Sequence, residues 1–255
     1  MPEHTTFITY ILSKFPALQE NAQNLGRTFV AGDEPSYRSF EPIITAFLVV
    51  AIILGLAYRA RTKLAKVDEA VVPDDKLTLR TFMEAFVGYF YNLTKDVMGP
   101  KRAKRYFPVI GAASLFIFIS NAMGHIPGFA PPTSSLNITL GCALVVFILF
   151  NFYGLQANGL GYIKHFAGPK WYLAPLVFPI EIISTCVRPI TLSVRLMINM
   201  AVDHLLASVF IGLIALLVPV PLMFLGLIVV VVQTIVFCLL TAIYIGLATE
   251  HEEHH

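Results

Sequence analysis

Charge is scarce in this chain: Lys, Arg, Asp and Glu make up 13% of 255 residues while 56% are hydrophobic. An ordinary soluble domain carries about a quarter charged residues. With a mean hydropathy of +0.73, the deficit argues against a soluble globular protein and for an integral membrane protein embedded in a lipid bilayer. The start lacks the basic residues, apolar run and small-residue cleavage site of a secretory signal, so residues 1–38 are expected to form an extramembrane segment. Nucleotide-binding loops, internal repeats and metal-ligand spacings are also missing. The three cysteines, Cys142, Cys186 and Cys238, lie far apart in apolar stretches and are expected to be small hydrophobes. His251, His254 and His255 have ligand chemistry, but the tail HEEHH reads as a solvated end. No cofactor, metal or nucleic acid is expected.

What charge there is has an uneven distribution. Three of the 18 basic residues lie in 1–39, eleven in 59–105 and two in 157–173; the others are Arg188 and Arg195, and none follows. Between Asp96 and Glu250 the only acids are Glu181 and Asp203. Four groups of fixed sign are thus isolated in an apolar region and cluster within 23 positions. Ionisable groups at membrane depth are costly and mark functional sites by default.

The apolar runs predict an all-α polytopic membrane protein with about five crossings, at 42–58, 106–123, 136–153, 172–217 and 222–247. Residues 39–255 read as one membrane domain. Within the basic loop 59–105, Leu79–Met98 has Phe82, Phe86, Tyr89 and Phe90 at helical spacing and fits an interfacial amphipathic helix. The loop at 125–135 has no basic residue and that at 157–170 has two, so the positive-inside rule puts the N-terminus outside and the C-terminus in the cytoplasm.

The last two runs are too long to stand upright. A helix over Ile180–Leu217 would measure about 57 Å and one over Leu222–Leu247 about 39 Å, against a hydrocarbon core of about 30 Å. Gly and Pro are absent from 190 to 211. Two solutions remain: a hairpin of two strongly tilted helices, or a break at Pro189 giving a re-entrant piece plus a span. On a continuous helix, at about 100° per residue, Arg188 lies about 20° from Arg195, Glu181 and Asn199 about 40°, Asp203 about 80° and His204 about 180°. Glu181, Arg188, Arg195 and Asn199 therefore form one polar stripe, with His204 on the opposite face.

Each polar group has a plain structural role to set against a functional one. Arg188 can snorkel to a boundary, Glu181 can pair with a basic loop residue, and Asn199 can hydrogen-bond across helices. His204 can be a satisfied interior histidine, and Asp203 a partner for a basic group or a polar wall. Arg195 fits such a role least. It lies far from either helix end, and no acid stands three or four residues away to neutralise it. Its counter-charge is expected from another chain. A fixed cation facing a membrane carboxylate displaces the proton from it and blocks direct proton passage. Glu181 on one side and His204 on the other would then line separate aqueous access paths.

The stretch PITLSVRLMINMAVDHLL (189–206) resembles the P-[IV]-S-L-x-[LV]-R-L-x-x-N-M signature of subunit a of F-type ATP synthase, the stator channel of the Fo sector. SNAMGHIP (120–127), PTSSLNITLGCAL (132–144) and VVQTIVFCLLTAIYIGLA (231–248) are similar to further stretches of that family, in the same order. The resemblance implies a non-catalytic, proton-translocating subunit working against a c-ring of small hairpin proteins with membrane carboxylates. It also implies attachment to the peripheral-stalk subunit b and a bacterial plasma membrane, with mitochondrial and plastid inner membranes as alternatives. Carried over by position, Arg195 is the cation facing the rotor carboxylate, with Gln233 near it on the last helix. Asn199, His204 and Asn121 belong to the outer proton path, and Glu181 to the cytoplasmic one.

The departures are specific. Ile198 stands where a glycine is common, and Asp203 stands where glycine is usual, beside His204. Gly124 occupies a position that some bacterial members fill with an acid, with His125 next to it. Gly226 occupies one that often holds His or Glu. The outer path is therefore expected to rest on His204, Asp203 and His125. The sequence leaves proton versus sodium coupling open. Two other classes compete. A secondary transporter would show repeats and broken helix pairs, and a structural subunit of a respiratory complex would tolerate loss of Arg195.

Overall fold

The structure, a computed structural model, describes residues 6–12, 14, 40–64, 78–126, 128–159, 162, 174–213 and 219–249. Among these are seven α-helices and one 3-10 turn: α1 (Phe7–Leu12), α2 (Glu41–Leu64), α3 (Leu79–Met98), α4 (Pro100–Met123), the turn Pro132–Ser134, α5 (Leu136–Asn158), α6 (Ala174–Leu213) and α7 (Pro219–Ala248). Five of them, α2, α4, α5, α6 and α7, are long and apolar enough to cross a membrane. This is the all-helical polytopic architecture that the apolar runs predict.

Local chemistry explains the sharp boundary between α3 and α4. Thr78 caps α3 by accepting from the Thr81 amide at 3.4 Å. The helix ends where Gly99 takes φ 78°, a left-handed value that glycine adopts without strain. Pro100 then opens α4, its fixed φ suited to a first helical position and its missing N–H no loss there. The apolar face expected for α3 is divided: Phe90 is buried, whereas Phe82 and Tyr89 are exposed.

Helix α6 is continuous for 40 residues, with Pro179 and Pro189 inside it. The break at Pro189 is not realised. Proline is tolerated inside long apolar helices when neighbouring groups pack around it, and hydroxyls just past Pro189 bond back to the helix. Thr191 Oγ1 donates to the Val187 and Arg188 carbonyls at 3.1 and 2.9 Å, and Ser193 Oγ to that of Ile190 at 2.9 Å. At about 60 Å, α6 is twice the hydrocarbon thickness, so it crosses a bilayer only if tilted or if it projects beyond it.

The chain packs as two compact units. The first comprises Met1–Leu54, Phe116–Thr139 and Leu196–Val231; the second comprises Gly55–Leu115, Leu140–Arg195 and Val232–His255. In the first unit α1 docks on a carboxylate: Thr6 and Thr9 both donate hydroxyl hydrogen bonds to Glu41, the latter at 2.8 Å. The Phe7 amide donates to the Gly128 carbonyl at 3.0 Å, and its ring meets Phe129. In the second unit the core is built from Phe90, Met98, Tyr106, Ile110, Phe150 and Ile245. The Arg102 guanidinium donates to the Met98 carbonyl at 2.8 Å and the Gly246 carbonyl at 3.2 Å. It thereby serves the C-terminal ends of α3 and α7, where cations complement the helix dipole.

Candidate functional site: polar groups on the long helices

The buried face of α6 is marked by Thr185, Leu192, Ser193, Leu196 and Met200, at steps of three, four and seven residues. Arg195 falls outside that face and is exposed, in company with Val187, Ile198 and Val202. Among the described residues it has no ion-pair or hydrogen-bond partner. The arginine therefore stands on an open apolar face of a long helix with its charge unmatched among the described residues. Ile198, the departure from the common glycine, is 46% exposed on the same side, while Leu196 is fully buried.

The predicted site residues fall into two groups. Glu181, Arg195 and Gln233 belong to the second compact unit; Asn121, His125, Asn199, Asp203 and His204 belong to the first. Glu181 and Asn199 are half-buried on α6, and Gln233 is 4% exposed on α7. The side chain of His204 lies outside the described residues.

In the first unit two of the motif stretches meet. Asn121 on α4 is fully buried, and its Oδ1 accepts a 2.6 Å hydrogen bond from Thr133 in the 3-10 turn. Thr133 is a contact of a predicted site residue that motif reading did not single out, although the PTSS stretch was its signal. The Asn121 Nδ2 has no hydrogen-bond partner among the described residues. An unmatched buried amide donor costs about 1–3 kcal/mol, the sort of group expected where water or a proton carrier passes.

His125 follows, one helical turn after Asn121. Its Nδ1 lies 3.4 Å from the Asn121 carbonyl. Its Nε2 occupies the space that a Cβ at Gly226 would need. The missing side chain on α7 and the histidine after α4 are thus complementary: the imidazole fills the notch. Asp203 stands within electrostatic reach of His125, and its Oδ2 is buried with no hydrogen-bond partner among the described residues. His125, Asp203 and Asn121 are therefore three polar groups of one compact unit, each with a protonatable or hydrogen-bonding atom to spare.

The second unit holds polar contacts that sequence reasoning missed. Arg188 lies over the Tyr244 ring of α7 at 5.1 Å. Tyr162 donates from its hydroxyl to Asn151 Oδ1 on α5 at 3.0 Å. Burial pushes the Tyr162 phenol up from its ordinary value; the Arg188 charge pulls it down and the Glu181 charge pushes it up, leaving it raised. Tyr162 stays a neutral donor. No group of three metal-ligating side chains occurs among the described residues.

Comparison with known proteins places these observations in a family. Residues 43–246 match the family described as ATP synthase A chain. "ATP synthase subunit a" of Sorangium cellulosum (strain So ce56) is 62% identical over 255 residues, the whole of both chains. The protein of that name from Sulfurihydrogenibium sp. (strain YO3AOP1) is 43% identical over 176 residues, 69% of this chain and 84% of the relative. That from Geobacter sulfurreducens (strain ATCC 51573 / DSM 12127 / PCA) is 41% identical over 203 residues, 80% and 82% of the two.

Proposed function

The chain belongs to the ATP synthase A chain family, the proton-translocating stator subunit of the Fo sector, and from that premise we propose how its residues divide the work. Arg195 faces a carboxylate carried by each small hairpin subunit of a rotor ring. The observation that carries this reading is the exposed guanidinium on the apolar face of α6, which has no partner among the described residues. A cation at membrane depth costs several kcal/mol by any scale, and a partner carboxylate is what offsets it. An opposite charge at about 4–6 Å lowers a carboxyl pKa by about 1–3 units. A protonated rotor carboxyl arriving at Arg195 therefore gives up its proton, and the same charge bars protons from crossing along the interface.

Protons reach and leave the ring by two offset paths. Asn121, His125, Asp203 and His204, with Asn199 nearer the arginine, form the outer one, and Glu181 forms the cytoplasmic one, with Gln233 beside Arg195. Glu181 stands fourteen residues before Arg195 on α6 and Asp203 eight after it, about 21 and 12 Å along the helix, which supports access at two different depths. Positive-inside charge supports an N-terminus outside and a C-terminus in the cytoplasm, in a bacterial plasma membrane. The subunit itself carries no catalytic step. It works with the c-ring and is tied to the peripheral stalk through subunit b.

Cysteine cross-linking tests the rotor face. A cysteine at Ile198, exposed beside Arg195, is expected to form disulfides with cysteines placed near the ring carboxylate, whereas one at the buried Leu196 is not. Efficient cross-linking from 196 with none from 198 would contradict the assignment.

A further inference from the structure

Glu181 and Arg188 are seven residues apart on α6, about 20° apart around the helix and about 10 Å along it. Both are half-buried, and both charges reach the same phenol, that of Tyr162. Yet neither takes part in a salt bridge among the described residues. The guanidinium is engaged elsewhere, stacked over the Tyr244 ring at 5.1 Å. That ring is itself buttressed by Phe150 at 6.1 Å. Tyr162 in turn is fixed in place. Its ring covers Gly154, where an added Cβ would come within 2.7 Å of it, and its hydroxyl is tied to Asn151, which also donates to the Phe147 carbonyl at 2.8 Å.

A guanidinium paired with a carboxylate lowers the carboxyl pKa by about 1–3 units and so weakens its hold on a proton. A guanidinium stacked on an aromatic face keeps its charge, and here the stack over Tyr244 holds it with no salt bridge to Glu181 among the described residues. We propose that Tyr244 is a positioning residue that diverts Arg188 from Glu181 and so keeps Glu181 able to exchange protons with the cytoplasmic side. Among the described residues, Tyr162, from the segment after α5, and Tyr244, from α7, are the titratable groups facing the pair, and Tyr162 is a neutral donor. The proposal rests on the assignment of Glu181 to the cytoplasmic path.

The test uses the whole ATP synthase in inverted membrane vesicles, where the bath sets the pH at the cytoplasmic face. ATP-driven proton uptake is followed against bath pH, with ATP hydrolysis measured in parallel. In Tyr244→Leu the released arginine pairs with Glu181. The alkaline limb of the uptake profile is expected to move to about tenfold higher proton concentration, one pH unit. Tyr244→Phe keeps the ring and should keep the midpoint, and Arg188→Gln added to Tyr244→Leu should bring the midpoint back. Where Tyr244→Leu fails to assemble, Arg188→Lys serves instead, because lysine stacks poorly and should shift the limb in the same direction. A fall in amplitude at an unchanged midpoint, in whichever of these variants assembles, would overturn the proposal and leave Tyr244 with packing alone. Glu181→Gln separates this from failure of the underlying assignment: an unaltered profile there removes Glu181 from the path.

Discussion

Single side chains carry most of the chemistry here, and several act by filling a space or completing a bond. Thr133 is the donor to the buried side-chain Oδ1 of Asn121. Thr133→Val leaves that oxygen unmatched in a site where the amide nitrogen already is, at a cost of about 1–3 kcal/mol. Thermal melting of the solubilised complex should register the loss, and Thr133→Ser should recover most of it. Gly226 leaves the space that the His125 imidazole occupies. Gly226→Leu is expected to expel the ring, costing about 1–3 kcal/mol in overpacking and lowering proton uptake several-fold. Gly226→Ala should fall between it and the wild type in the same assay. Tyr162 provides a pH check. Its raised phenol pKa means the donor to Asn151 is present below the ordinary tyrosine value and is lost only as pH rises past the folded one. The stability difference between Tyr162→Phe and wild type should therefore be constant from about pH 6 to 9. A difference that fades across that range in chemical melts would show that the phenol ionises there.

Helices set where these side chains can act, and they were legible to different degrees. Leu79–Met98 shows at both ends in the sequence, because Thr78 and Gly99 are capping chemistry. The first span reads as 42–58, yet α2 runs Glu41–Leu64, since hydropathy marks the apolar part and the basic turn beyond it is just as helical. For the same reason α4 begins at Pro100, six residues ahead of the apolar run. The polar stripe on α6 was legible from periodicity alone, and so was the isolation of Arg195. Contacts among residues far apart in sequence were not: nothing local to Gly226 announces His125, and nothing local to Arg188 announces Tyr244. Whether Pro189 breaks the helix was also open, because a proline's effect depends on neighbouring hydroxyls and packing. Arg102 belongs to this scale too, holding the carbonyl ends of α3 and α7. Arg102→Met should lower the melting temperature of the solubilised complex by the equivalent of about 1 kcal/mol, with partial recovery in Arg102→Lys. No change in either would mean water replaces the guanidinium at no cost.

At the level of the whole molecule, the chain is a stator subunit, and its Arg195 charge has no partner among the described residues. Its composition excludes a soluble role, its five candidate spans make it polytopic, and its relatives are ATP synthase subunits a. Asn121, His125 and Asp203 belong to one compact unit and Glu181 to the other, and helix α6 contributes residues to both. The account stands or falls on that arginine coupling proton flow to the ring. The most direct measurement is ATP-driven proton uptake by inverted vesicles carrying Arg195→Ala, alongside ATP hydrolysis in the same membranes. The account predicts that uptake is abolished while the soluble sector still hydrolyses ATP and the complex remains assembled. Uptake at the wild-type rate in that variant would contradict it.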